Sequence, residues 1–70
     1  MPIVMAPVDV ELKVVKVLVD EKTKRHLENL GILVNANLTI ISKTNGNIIV
    51  KVKEGRLALN KDTAMKIFVA

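Results

Sequence analysis

The chain has 70 residues, half of them hydrophobic and none of them cysteine, with 11 Lys and Arg against 7 Asp and Glu for a formal charge of +4. A chain this short supports one domain, residues 1–70, around one small core, and the missing cysteines exclude disulfide staples and thiolate zinc sites. Its apolar residues are mostly Val, Ile and Leu with Phe68 as the single aromatic, a composition suited to half-buried strands rather than to aromatic ligand platforms.

The start, "MPIVMAPVDVE", has no basic leader region and meets Asp9 and Glu11 early, and no run approaches the roughly 18 apolar residues of a membrane span. The expectation is a soluble cytoplasmic protein with no membrane insertion, and with residues 1–6 as a loosely ordered tail. Val8, Val10, Leu12 and Val14 then alternate with Asp9, Glu11 and Lys13, the period-two pattern of a strand with one wet face. At Val14 and Val15 the phase slips, because Val15, Val17 and Val19 would point to the opposite face of a regular strand. A bulge or sharp bend is expected there, the device by which a sheet curls.

Asp20 is placed to cap a helix over "EKTKRHLENLG", with Glu21 near the positive end of its dipole and with Leu27 and Leu30 on one side facing the core. On this reading Leu30→Asp destroys folding. Gly31 falls where a helix ends on a positive φ, and Ile32 can fold back on the last turn. Leu38 to Lys43 and Ile48 to Lys53 read as antiparallel strands joined at Asn45-Gly46, the strongest hairpin signal in the chain. A second tight turn is expected at Glu54 and Gly55. "RLALN" follows as a strand with Leu57 and Leu59 inward, Asn60 caps one helical turn through Ala64, and Ile67 and Val69 form a last strand. The sum is a mainly β, all-β class fold: a small SH3-like β-barrel, closed or nearly so, with one short α-helix and a single helical turn before the last strand.

No catalytic, cofactor or metal site assembles from these residues. His26 is the only histidine and sits beside Arg25 on a charged helix, the carboxylates are dispersed, and Ser42 is the only serine. Gly31, Gly46 and Gly55 are isolated, so no phosphate-cradling loop is expected. With Phe68 as the one ring, no stable nucleic-acid complex is expected, although Lys51, Lys53 and Arg56 allow weak phosphate attraction. What remains is a surface for another protein. If Ile48, Val50 and Val52 face inward, Ile49 faces outward beside Lys51, and Ile41 does so beside Ile40. The candidate partner-binding set is Arg25, His26, Ile41, Ile49, Lys51 and Arg56.

"HLENLGI" from His26, "NLTIISKTNGNIIVKV" from Asn37 and "RLALNKDTAMKIFV" from Arg56 together resemble the FeoA family over almost the whole chain. The resemblance implies an SH3-like barrel without catalytic residues or cofactor, whose partner is a FeoB-type ferrous iron permease with a cytoplasmic GTPase domain. It implies a regulatory role in ferrous iron uptake, and weak self-association is compatible with it. Similar chains usually carry Arg at His26, Gly at Asn35 and Arg at Asn60; if those residues contact the partner, this chain binds it differently or more weakly. Two other readings accompany this one: a basic barrel bound to nucleic acid through phosphates, and a detached repressor-type SH3-like domain. The absence of a helix-turn-helix segment in these residues counts against a whole repressor.

Overall fold

The computed structural model describes residues 1–53 and 55–70. Five strands, β1 (Glu11–Val17), β2 (Asn37–Thr44), β3 (Asn47–Val52), β4 (Gly55–Asn60) and β5 (Ile67–Val69), form one antiparallel sheet in the order β4-β3-β2-β1-β5. Helix α1 (Glu21–Asn29) connects β1 to β2, and the single turn α2 (Lys61–Ala64) connects β4 to β5. The class is mainly β, as the composition and alternation imply. β4 and β5 are the two edges and do not pair with each other among the described residues, so the sheet curls into the SH3-like shape without closing through hydrogen bonds.

Two bulges do the curling. In β1, Val14 pairs with Val69 and Lys16 with Phe68, which leaves Val15 as the extra residue where the sequence phase slips. In β2, Ile40 pairs with Val50 and Ser42 with Ile49, so Ile41 is the extra residue, a bulge the sequence did not announce. Inside the curl lie Leu12, Val14, Leu38, Ile40, Ile48, Val50, Val52, Leu59, Ile67 and Val69, and the connections add Leu27, Ile32 and Ala64. Burying such aliphatic side chains stabilises the fold by about 1.5–3 kcal/mol each relative to exposure.

Helix α1 begins as expected, with the Asp20 side chain accepting from the Thr23 N–H at 3.4 Å. It ends in a paired closure: the Gly31 N–H donates to the Glu28 carbonyl at 3.0 Å and the Ile32 N–H to the Leu27 carbonyl at 2.8 Å. Gly31 takes φ +101°, which a side chain rarely tolerates, and this turns Ile32 back into the core beside Leu27. At the β2–β3 hairpin only Gly46 adopts a positive φ, +86°. Asn60 caps α2 through its side-chain oxygen, which accepts from the Thr63 N–H at 2.8 Å.

Several expectations are corrected. The first strand does not begin at Val8: Asp9 takes φ +61° while its N–H donates to the Ile40 carbonyl at 2.8 Å, so the extended run breaks and Val8 and Val10 stay exposed. Residues 1–6 are not a loose tail. Ile3 and Ala6 are buried in the core, Pro2 bridges to Phe68, and the Val69 N–H donates to the Met1 carbonyl at 2.7 Å. The Lys43 ammonium fastens this segment by donating to the carbonyls of Val4 at 3.1 Å and Ala6 at 2.6 Å. Leu30 is not a core residue. It caps the C-terminus of α1 with helical backbone angles and is 39% exposed, whereas Leu27 is 3% exposed; the chain turns away only at Gly31. The second hairpin turn falls one residue earlier than expected, since Val52 pairs with Gly55, which already belongs to β4. Lys53 stands in that turn with φ +50°, and Glu54 lies outside the described residues.

Two measurements check this packing. Leu27→Asp unfolds the protein, because an uncompensated charge enters the core, while Leu30→Asp remains folded and loses less than about 1 kcal/mol in denaturant titration. Equal losses at both positions contradict the burial assigned to α1. The second concerns Asp20, whose pKa is lowered chiefly by the side-chain hydrogen bond from Thr23. Folding therefore gains from its ionised form above the ordinary carboxylate range and loses that gain as pH falls through the lowered value. The difference in melting temperature between the natural chain and Asp20→Ala is accordingly full near neutrality and shrinks in acid; a pH-independent difference removes the electrostatic account of the cap.

Candidate functional site

Pairing across the sheet fixes which side chains share its outer face. Arg56 lies opposite Lys51, Lys51 opposite Thr39, and Thr39 opposite Glu11, a continuous row across four strands. Direct neighbours in such a row sit about 4.5–5.5 Å apart. One step along, Ala58 lies opposite Ile49 and Ile49 opposite Ser42, with the bulged Ile41 alongside. Ile41 and Ile49 are half-buried, and Lys51 and Arg56 are exposed. Four of the six candidate positions, Ile41, Ile49, Lys51 and Arg56, are thus brought together on the outer face of β2, β3 and β4.

Arg25 and His26 stand apart from them. Both are exposed on α1, which holds them near its C-terminal half, where a cationic group is favoured by the helix dipole. His26 lines a cleft of about 150 Å³ between α1 and β4, together with Leu27, Leu30, Leu57 and Leu59. Edge strand β4 therefore separates the two parts of the set.

A larger groove of about 540 Å³ opens on the outer face of β1, β2 and β3. Its floor is Glu11, Leu38, Thr39 and Lys51, and its wall is the α1–β2 connection with Gly31, Asn35, Ala36 and Asn37. That wall is fixed to β1 from both directions, since the Asn35 N–H donates to the Val14 carbonyl and the Val14 N–H to the Ala36 carbonyl, each at 2.8 Å. Lys53 completes the lining. Its aliphatic stem passes over Gly31, with Cδ 3.9 Å from the place a Cβ would occupy there.

Lys53 and Asn35 were absent from the candidate set. Asn35 takes φ +75°, a conformation that Asn tolerates better than most residues, so its residue type was the one local signal. Lys53 was read as the last residue of a strand, and a lysine offers no local indication of a positive φ. Phe68 is half-buried, and the Lys16 ammonium lies 6.0 Å from its ring centroid. Among the described residues, no three of His, Cys, Asp and Glu converge in a way that would hold a metal ion.

Comparison with known proteins bears on this geometry. A crystal structure described as iron uptake regulatory protein (FeoA) superposes with a TM-score of 0.87 at 21% identity, covering 99% of this chain and 93% of that one. The solution structure of FeoA protein from Chlorobium tepidum gives 0.90 at 21% identity, over 99% of this chain and 68% of its own. A FeoA-like protein from Clostridium acetobutylicum gives 0.83 at 21% identity, over 100% and 84%. At that identity these likenesses establish the shared fold. No curated protein sequence matches the chain. The sequence profile of the FeoA domain, however, matches residues 1–70 from end to end, and the chain belongs to the FeoA family.

Proposed function

We propose that the chain is a small non-enzymatic accessory protein of ferrous iron uptake, acting in the cytoplasm by docking onto the GTPase-containing part of a FeoB-type permease. The observation that carries this reading is the family match over residues 1–70, in a family linked to ferrous iron transport. The name of one structural relative, iron uptake regulatory protein, points the same way.

The outer face supplies a docking surface of the appropriate kind. Ile41 and Ile49 offer a half-buried apolar centre, and Lys51 and Arg56 form a basic rim beside it. Interfaces of this type gain affinity from the apolar centre, and orientation and association rate from the charges. Arg25 and His26 extend the surface around the β4 edge onto α1. No step of this role needs a bond to be made or broken by the protein. A change in the permease follows from a difference in affinity for its states, which is how any docking protein biases a conformational equilibrium.

The chain should co-purify with a FeoB-type permease from its native host, in at least one nucleotide state of the GTPase. Ile49→Asp, which points away from the core, leaves the circular dichroism spectrum unchanged and weakens that association about tenfold or more, the scale of an interface anchor. Failure to associate with the permease whether GTP, GDP or no nucleotide is present rejects the reading.

A further inference from the structure

Among the described residues, five have a positive φ: Asp9, Gly31, Asn35, Gly46 and Lys53. Three of these, Gly31, Asn35 and Lys53, line the outer-face groove described above. Left-handed backbone is rare in non-glycine residues, and where it clusters it marks positions that the surrounding structure holds for a reason. Lys53 is the notable member. A two-residue hairpin turn with positive φ favours Asn, Asp or Gly, yet this position carries a long cationic side chain. The residue is exposed, but its stem passes over Gly31, with Cδ 3.9 Å from the place a Cβ would occupy there, and it lines the groove.

The groove's chemistry matches that placement. Lys51 and Lys53 stand two residues apart at the end of β3, Thr39 lies opposite Lys51, and Asn35 and Asn37 line the wall. Ammonium groups with neighbouring hydroxyl and amide donors are a set for phosphate oxygens. Glu11 is the one carboxylate in the described lining, at the β1 end. It closes that end to a continuous polyanion and can accept a hydroxyl from an uncharged part of a ligand. The volume, about 540 Å³, is that of a site for a small molecule.

We infer that this groove binds a small phosphorylated molecule, its phosphate held between Lys51 and Lys53. The inference stands on the groove alone and does not use the permease reading.

The test is a titration of the full ¹⁵N-labelled chain, followed by two-dimensional NMR at about 0.1 M salt, where free surface charges are largely screened beyond ~10 Å. Inorganic pyrophosphate and glycerol 3-phosphate serve as separate probes, so that a free phosphate source is distinguished from a phosphate ester. At least one of them shifts the amides of residues 35–39 and 51–53 with saturation below about 1 mM, and Lys51→Gln weakens it about tenfold. Lys66→Gln, outside the groove, leaves it unchanged. Lys53→Gly is the decisive variant. It suits the left-handed backbone and so melts no lower than the natural chain, yet it loses about tenfold or more in affinity, the pattern of a residue kept for binding at the expense of stability. Unchanged affinity in Lys53→Gly, a melting temperature that falls with it, or shifts dispersed over lysines outside the groove overturns the inference. Tighter binding of a short single-stranded oligonucleotide than of either small probe also overturns it, in favour of nucleic acid.

Discussion

The curvature of one sheet is the constraint on which the rest depends. A flat five-stranded sheet of this size would leave its apolar face to water, and the helical elements, nine and four residues long, are too small to cover it. The extra residues Val15 and Ile41 bend β1 and β2 until the sheet covers itself, and the inner face becomes a closed core. The same bends release other residues from strand periodicity. Past Ile41, Ser42 lies opposite the outward Ile49, and Lys43 lies opposite the buried Ile48, at the end of the core where its ammonium meets the N-terminal carbonyls.

Much of this was legible in the residues because the signals were local. Asp20, Gly31, Asn45-Gly46 and Asn60 each name a backbone geometry by their own chemistry, and each appears where it was read. The phase slip at Val14 and Val15 was legible because alternation runs on both sides of it. The Ile41 bulge was not, since Ile40 and Ile41 are both apolar and hide the change of parity. Leu30 misled for a related reason: helical spacing places it near Leu27, but the helix ends there and Gly31 redirects the chain. Residues 1–6 look like a tail because their partners, Lys43, Phe68 and Val69, are distant in sequence.

The candidate surface was legible only in part. Alternation along β3 gave the outward sides of Ile49 and Lys51, and register then placed Arg56 opposite Lys51. Nothing local placed Glu11 and Thr39 in the same row, because that row exists only once β1 and β2 pair. Nor did spacing show that Arg25 and His26 stand across an edge strand from the others. The groove wall depends on the helix end at Gly31 and on the two hydrogen bonds that tie residues 35 and 36 to Val14, so a feature read for its fold also shapes the outer face.

The stitching of the first residues to the last has a consequence for the order in which the chain acquires structure. The Met1 carbonyl accepts from the Val69 N–H, and the Lys13 and Ala70 backbones exchange hydrogen bonds, so β1 has only one of its two neighbours until β5 arrives. Pairings this distant in sequence are slow to form. During synthesis at about 5–20 residues per second, Ile3 and Val14 stay uncovered until β5 has left the ribosomal tunnel. The core is thus completed only once β5 has emerged, and a nascent chain stalled short of Ile67 presents an unfinished hydrophobic seam to whatever chaperone waits there.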